Sequence, residues 1–372
     1  MKNFDREKPY NSLPLLSPDI DIENNPVILK RLVLASRALA TVNGNLNRLP
    51  NPLMLVNTLA LQEAKASTEI ENIFTTEDEL YKAISDTYKE QTINPATKEV
   101  LKYREALWTG YQELQKSQKF DTDLIIQIFN QIKETTSGYR SPQARVVIRR
   151  GVSEFRSGEI IYTPPRGEGL IEKLMDNLVD YMNNDEKYSF DPLLKMCVAH
   201  YQFEAIHPFQ DGNGRTGRIL NLLYLFSKGL LSQPVLYMSK YIILNKEDYY
   251  YKLQSVTQRN SWEPWIEFML EATEKTSLST NNRINEILAQ MESTFQYAKS
   301  KIKWYSKDVN EAIFSQPYIK PRLISEIVGK TSRTTITKYM NELVDLKILI
   351  PRKIGLEVFY MNEDLIRILE GE

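Results

Sequence analysis

Apolar residues recur at helical spacing along most of the chain. In residues 52–69 they lie three and four positions apart, and in residues 277–303 they form one stripe on an otherwise polar segment. Similar patterns, bounded by prolines, acids and glycines, predict further helices at residues 95–115, 121–135, 167–182, 192–205, 214–228, 246–258 and 263–274. The pattern therefore predicts a chain built mainly of helices.

Capping signals divide the N-terminal part. Thr76 with Glu79 three residues later forms a capping box, so a new helix is predicted to begin there. Before it lies the segment 67–72, which reads Ser-Thr-Glu-Ile-Glu-Asn. Residues 1–25 are predicted to form an extended arm, because prolines interrupt any helix at positions 9, 14, 18 and 26.

Two short β-branched stretches break the helical pattern. They lie at residues 145–149 and 159–162, with Gly151 and Gly158 between them, and Pro164 and Pro165 follow the second. This arrangement predicts a β-hairpin.

The tail, residues 315–372, has a texture of its own. Short helices and then two strands, at residues 348–352 and 355–360, are predicted there, and residues 321–361 resemble a winged helix with a recognition-like helix at 332–346. From residue 318 onward the tail carries nine Lys or Arg against eight Asp or Glu, so it lacks a strong basic footprint. Contact with a protein or a second copy of the chain is therefore favoured over DNA.

Bulk composition narrows the class of protein. At 372 residues the chain is long enough for two or three domains, and its net charge of −1 provides no whole-chain attraction to nucleic acid or membrane. The single cysteine, Cys197, excludes an internal disulfide framework. We see no apolar run long enough to span a bilayer and no signal peptide, so we expect a cytoplasmic protein.

The most informative segment is residues 207–218, which read His-Pro-Phe-Gln-Asp-Gly-Asn-Gly-Arg-Thr-Gly-Arg. A tight turn would account for the glycines but not for the His, the Asp and the two Arg around them. Because a helix is predicted to start near Gly214, its free N–H groups offer an anion site, and Gly212 and Gly214 allow a close approach. Arg215 and Arg218 share a helix face, and their guanidinium groups match phosphate oxygens.

The remaining polar residues of this segment complete a phosphate-transfer site. Asp211 would need a cation beside phosphates, which predicts Mg²⁺ bridging its carboxylate and the phosphates. The Asn213 amide is predicted to donate to a phosphate oxygen, and His207, with an ordinary pKa of about 6.5, is the candidate base for an incoming hydroxyl. The residues themselves do not say which phosphorus is attacked.

Residues 207–218 resemble the signature of Fic-domain protein adenylyltransferases at every constrained position. The resemblance implies an all-α core with a small β-hairpin flap, and transfer of AMP from ATP to a Ser, Thr or Tyr hydroxyl of a target protein or of the chain itself. It implies that His207 is the general base, that Phe209 packs the loop and that Asp211 holds Mg²⁺. The implied ATP-binding residues within the motif are Gly212, Asn213, Gly214, Arg215, Thr216, Gly217 and Arg218.

Two further elements fit the same resemblance. In the family a hairpin flap pins the target chain by backbone pairing, and residues Glu159, Ile160, Ile161 and Tyr162 match its position. Tyr249 and Tyr250 resemble the family's Tyr-Tyr element near the adenine and the ribose, although aromatic residues at such positions are also common in cores.

Segment 67–72 resembles the inhibitory helix motif of Fic proteins, [Ser/Thr]-x-x-x-Glu-[Gly/Asn]. Its position implies the class with an N-terminal inhibitory helix, in which Glu71 pairs with Arg218 and Ser67 lies one turn earlier. The resulting division is an inhibitory helical region (1–92), a catalytic core (93–275), a connecting helix (276–314) and a winged-helix-like domain (315–372).

Three alternatives stay open at this point. The same site could remove AMP or transfer another nucleotide or phosphate group, and the chain could instead be a DNA-binding regulator that senses nucleotide. A homodimer is also open. His200, seven residues before His207, is predicted to be a packed helix residue, and with two histidines and one cysteine a zinc site is not expected.

Overall fold

The computed structural model of the protein describes residues 4–21, 24–46, 48–49, 52–84, 93–150, 158–329, 332–354 and 357–371. Helices dominate, as predicted. The N-terminal part and the core contain α1 (Pro26–Leu46), α2 (Pro52–Ile70), α3 (Glu77–Ile84), α4 (Pro95–Ser117), α5 (Thr122–Lys133), β1 (Ile148–Arg150), β2 (Glu159–Tyr162), α6 (Leu170–Asn183), α7 (Pro192–Ile206), α8 (Asn213–Ser227), α9 (Met238–Leu244) and α10 (Lys246–Arg259). The C-terminal part contains α11 (Trp262–Lys301), α12 (Lys307–Ile313), β3 (Tyr318–Ile319), α13 (Pro321–Ile327), α14 (Arg333–Asp345), β4 (Ile350–Ile354), β5 (Glu357–Met361) and α15 (Glu363–Glu370).

Helix α7 lies at the centre of the fold. Every residue in 193–206 is buried, because apolar residues lie on all sides of the helix and leave no solvent-facing surface, although polar residues such as Lys195 and His200 lie among them. α6, α8 and α11 pack around it, while α4 and α5 lie against α8. The residues at the C-terminal end of α7 are therefore held on a rigid support.

The capping box at the start of α3 is confirmed. Glu79 N–H donates to Thr76 Oγ1 at 3.2 Å, and Thr76 N–H donates back to Glu79 Oε2 at 3.3 Å. The predicted N-terminal arm is confirmed as well, since residues 4–21 contain no helix or strand. The arm is attached to the core, because Tyr10 N–H donates to the Thr163 carbonyl at 3.0 Å and Leu16 N–H to Asn177 Oδ1 at 2.7 Å.

Helix α11 corrects one prediction. Separate helices were expected at residues 263–274 and 277–303, whereas one helix runs from Trp262 to Lys301. The Thr273 hydroxyl donates to the Met269 carbonyl at 2.9 Å and the Thr276 hydroxyl to the Ala272 carbonyl at 2.6 Å, so the polar run is satisfied inside the helix. The predicted boundary between residues 275 and 276 therefore falls within a helix.

The two predicted hairpins are present with shifted bounds. β1 and β2 are antiparallel and pair Ile148 with Tyr162 and Arg150 with Glu159; Gly151 lies outside the described residues. In the tail, β5 is the central strand of a sheet of order β3-β5-β4, in which β3 precedes α13 whereas β4 and β5 follow α14. Strand β3 and helices α9, α12 and α15 were not predicted. No helix among the described residues is long and apolar enough to cross a bilayer.

Gly110 on α4 allows this helix to approach α5 and α8 closely. A Cβ added there would collide with Leu223 Cδ1 and lie 3.1 Å from Ile128 Cδ1. We expect Gly110→Ala to lower the free energy of unfolding by about 1 kcal/mol, because overpacking outweighs the gain in helix propensity. Gly44→Ala on α1, where a Cβ meets nothing within 4 Å, is the control and should raise it by about 0.5–1 kcal/mol. Urea denaturation of both variants measures these changes. Equal stabilisation by the two substitutions would show that Gly110 is not needed for close packing of α4.

Candidate active site

The loop between α7 and α8 carries the histidine motif. His207 follows the end of α7 with a left-handed φ of 51°, and its N–H donates to the Phe203 carbonyl at 3.0 Å. Gly212 is left-handed as well, with a φ of 80° that glycine adopts without steric cost, and α8 begins at the next residue. This path brings His207 and the first turn of α8, at Gly214, to the same cleft.

Side chains brace this loop from inside. Asn213 Oδ1 accepts from Phe209 N–H and its Nδ2 donates to the Phe209 carbonyl, both at 2.9 Å. The buried Phe209 ring stacks on Phe129 with centroids 3.9 Å apart, and Arg140 Nε donates to the His207 carbonyl at 2.8 Å. The Asn213 side-chain amide is thus engaged within the loop, and its predicted contact with phosphate stays a prediction.

The cleft encloses a volume of about 160 Å³ and opens to solvent. One end is polar and lies at the first turn of α8. The other end is mostly apolar and lies between the hairpin and α10. Its lining is formed by Glu71, Ile148, Ile161, Tyr162, Tyr201, Glu204, Ala205, His207, Gly214, Arg218, Tyr249, Tyr250, Leu253, Gln254 and Thr257.

His207 is neutral in this environment. Burial lowers its pKa to about 4, the charge of Arg140 acts in the same direction, and Glu71 and Asp211 oppose the shift only in part. A neutral imidazole at physiological pH has a free lone pair, so His207 is able to accept a proton from a hydroxyl.

Arg218 is held by the end of α2. Its Nε donates to Ser67 Oγ at 2.7 Å, and its Nη2 donates to the Ser67 carbonyl at 2.9 Å and to Glu71 Oε1 at 2.9 Å. The Arg218 side chain is almost fully buried by these contacts. Glu71 and Arg218, which are 147 positions apart in the sequence, therefore form a direct ion pair.

Glu71 also reaches the anion position at the start of α8. A Cβ added at Gly214 would collide with Glu71 Oε1, so the carboxylate lies directly against the first turn of that helix. Four and eight residues before it on α2 come Ser67 and Glu63, and the buried Glu63 accepts from Ser239 N–H at 2.9 Å. This anchor fixes α2 beside the cleft.

The Asp211 carboxylate is ionised and forms an ion pair with Lys133. Lys133 Nζ lies 2.7 Å from Asp211 Oδ2, and Gly212 N–H donates to Asp211 Oδ1 at 2.7 Å. Although partial burial raises the pKa of Asp211, the bonds from Lys133 outweigh it and hold the pKa below its usual value. This exposed carboxylate would offer an oxygen to Mg²⁺ shared with phosphates only after Lys133 had moved aside. Within the described ranges, no three His, Cys, Asp or Glu side chains gather as a metal cage.

The rest of the motif faces away from the cleft. Arg215 is buried and pairs with Glu99 of α4, so it is not among the lining residues, and its predicted phosphate contact stays a prediction. The Thr216 hydroxyl donates to the Gly212 carbonyl at 3.0 Å. Gly217 lies against the side chain of Glu204.

The hairpin and α10 form the two walls of the cleft. Ile161 and Tyr162 of β2 line it, whereas Glu159 is exposed and pairs with Arg6 of the N-terminal arm, and Ile160 is partly buried. Tyr162 is tied to α7, because its hydroxyl donates to the Ala205 carbonyl at 2.7 Å.

On α10, Tyr249 and Tyr250 line the cleft together. The Tyr249 hydroxyl lies 2.8 Å from His200 Nε2, and burial lowers the pKa of His200 to about 3, so this histidine is a neutral support. Tyr251 points to solvent with 54% of its surface exposed.

Two residues of the site were missed from the sequence. Arg140 lies outside every motif found in the sequence, and no neighbouring residue in the chain indicates that its side chain bonds to the His207 carbonyl. Glu204 does have a signal, because it is an acid within the apolar run of α7.

Fold and site together define a helical protein with an open cleft, in which a neutral histidine faces a helix N-terminus and an arginine held by a carboxylate. Residues 29–112 match the N-terminal domain of the Fic/DOC family, and residues 119–225 match the Fic/DOC family itself. Residues 290–365 match the C-terminal domain of the SoFic-like protein adenylyltransferase. The chain belongs to the Fic/DOC family.

Curated relatives share the central part of the chain. The protein adenylyltransferase Fic of Aedes aegypti is 32% identical over 126 residues, which is 33% of this chain and 24% of that protein. The protein adenylyltransferase fic-1 of Caenorhabditis elegans is 28% identical over 152 residues, 41% of this chain and 28% of that protein. The chain thus spans about a quarter of the length of these relatives.

Solved structures share the fold. A Fic family protein from Desulfovibrio desulfuricans matches 93% of this chain and 98% of its own with a TM-score of 0.57 and 21% identity. A Fic domain containing signaling protein from Bacteroides thetaiotaomicron matches 69% of this chain and 97% of its own with a TM-score of 0.53 and 17% identity. The mostly helical fold predicted from the sequence is confirmed.

Proposed function

We propose that the protein is an adenylyltransferase that moves AMP from ATP to a Ser, Thr or Tyr hydroxyl of a protein. The observation that carries the proposal is the neutral imidazole of His207 in one cleft with the first turn of α8 and Arg218. Relatives named protein adenylyltransferase support AMP as the transferred group.

The reaction follows from the geometry. The α-phosphate binds at the N–H groups of residues 212–214, where the helix dipole favours negative charge, and Arg218 binds the outer phosphates. His207 takes the proton of the target hydroxyl as its oxygen bonds to the α-phosphorus, and the bond from that phosphorus to pyrophosphate breaks. Asp211 would hold Mg²⁺ once Lys133 had moved aside, and the ion would neutralise negative charge on the phosphates.

The proposal includes autoinhibition. With Glu71 against Arg218 and the first turn of α8, the outer phosphates of ATP are excluded from their positions, so the α-phosphorus is not presented for in-line attack. Arg218 is available to ATP only after the end of α2 has moved.

The protein target is proposed to bind at the hairpin. β2 offers a backbone edge beside the cleft, next to the side chains of Ile161 and Tyr162, and an added strand would place a hydroxyl close to His207. The winged-helix-like tail is proposed to contact protein rather than DNA, given its even balance of charge.

Intact mass spectrometry tests the transferred group. After incubation with Mg-ATP, we expect the Glu71→Gly chain, or proteins of a lysate treated with it, to gain the mass of AMP. A gain of phosphate, or loss of AMP from proteins already modified, would contradict the assignment. A DNA mobility shift with no adduct at all would instead favour a nucleotide-sensing regulator.

A further inference from the structure

Glu204 on α7 is a buried carboxylate without a partner. Its side chain is only 9% exposed, and its Oε1 is shielded from solvent with no hydrogen bond from any described residue. Burial raises the pKa of Glu204 to about 7, while Arg218, already held by Ser67 and Glu71, opposes the shift from a distance. A buried carboxyl oxygen without a hydrogen bond destabilises the folded protein. Because Glu204 lines the cleft, its position points to a ligand that donates the missing hydrogen bond.

The motif makes room for this carboxylate. A Cβ added at Gly217 would lie 2.6 Å from Glu204 Oε1 and 3.0 Å from Phe203. Any larger residue at position 217 would therefore displace the Glu204 side chain. The absence of a side chain at Gly217 therefore leaves space for the carboxylate of Glu204.

The position along the cleft indicates which part of a nucleotide meets Glu204. Tyr201, Glu204 and Ala205 share the face of α7 that lines the cleft, and His207 follows at its end. One helical turn, about 5 Å, separates Glu204 from His207. With the α-phosphate beside His207, the sugar comes next along the ligand and lies at Glu204, and the base continues towards Tyr201.

We propose that Glu204 binds the ribose of the nucleotide by accepting hydrogen bonds from its hydroxyls, and so selects ribonucleotides. The inference rests on the proposed function in taking the ligand to be a nucleoside 5′-phosphate. Hydroxyls donate and a carboxylate accepts, and an acid serves the same purpose at the ribose of dinucleotide-binding folds. The exocyclic amine of adenine is the other donor of this chemistry.

Calorimetric titration of the full chain carrying Glu71→Gly tests the proposal. The ligands are ADP, 2′-deoxy-ADP, 3′-deoxy-ADP and inosine diphosphate, which lacks the amine. We expect the loss of at least one hydroxyl to weaken binding about tenfold or more, because a hydrogen bond to a buried carboxyl oxygen is lost and that oxygen stays unsatisfied. In the added Glu204→Ala variant, ADP and its deoxy analogues should bind equally.

Each result has a definite meaning. If Glu204→Ala still binds ADP more tightly than its deoxy analogues, the proposal is overturned. It is also overturned if the chain with Glu204 binds inosine diphosphate more weakly than ADP and Glu204→Ala does not, because the carboxylate would then contact the base. Binding that depends on Glu204 without any AMP transfer would contradict the proposed function but leave the ribose contact intact.

Two controls separate binding from folding. Glu186→Gln removes an exposed acid and should change neither affinity nor discrimination. Glu204→Gln should not lower the thermal midpoint, because it removes an unsatisfied charge from the interior at nearly constant volume. A lowered midpoint would mean that the carboxylate is structural.

Discussion

Replacing Glu71 by glycine is expected to raise the rate of AMP transfer about 10²-fold. In the wild type, Glu71 Oε1 lies 2.9 Å from Arg218 Nη2 and against Gly214, so both the outer-phosphate arginine and the helix N-terminus face a fixed negative charge. Displacing reacting atoms by about 1 Å is enough to cost two orders of magnitude in rate. Incorporation of label from α-labelled ATP into the chain and into lysate proteins measures the effect.

The controls for this prediction address charge and backbone separately. Glu71→Gln keeps the size and loses the charge, so it should release the chain partially. Asn72→Gly introduces a glycine at the adjacent position, where φ is already +61°, and leaves the Glu71 carboxylate in place. It should not activate. Equal labelling by wild type and Glu71→Gly would show that the ion pair does not limit transfer.

Replacing His207 by alanine in the Glu71→Gly chain is expected to reduce transfer by about 10²–10⁴-fold, the usual effect of removing a general base. Because Phe209 and Asn213 brace the loop independently of the imidazole, the ATP affinity and the thermal midpoint of this variant should stay close to those of its parent. Undiminished labelling would exclude His207 as the base.

The same histidine predicts the pH dependence of transfer. A base works when neutral, and burial lowers the pKa of His207 to about 4, so the neutral form persists below the ordinary histidine pKa of about 6.5. The kcat of Glu71→Gly at saturating ATP should therefore be largely retained at about pH 5.5 and fall as the pH approaches 4. An acid limb near 6.5 would show that His207 is solvated in the active state.

Local signals were sufficient for the parts of the site that lie within one segment. Residues 207–218 predicted the anion-binding helix start, and the left-handed φ of Gly212 confirms why glycine is needed there. The capping box at Thr76 was found for the same reason, since its two bonds join residues three apart.

Contacts between distant segments could not be obtained in this way. Arg215 and Arg218 have the same chemistry and share a helix face, yet one is buried against Glu99 of α4 while the other lines the cleft. The Asn213 amide was expected to reach phosphate, and in this structure it instead accepts from and donates to the Phe209 backbone. The partner that each of these side chains bonds to depends on distances that are set only when the helices pack together.

By itself, the sequence determined the helical class and the turn that ends in a helix start, and it predicted the anion site and its base, because glycine conformation, helix capping and apolar period act between neighbours in the chain. The pairing of Glu71 with Arg218 was expected only from the family resemblance. Only the tertiary structure decided that Arg215 pairs with Glu99, that Lys133 holds Asp211 and that Glu204 Oε1 receives no hydrogen bond from the described residues. The reason is that burial and the pairing of charges depend on which elements are packed together, and the spacing of residues along the chain carries no record of it.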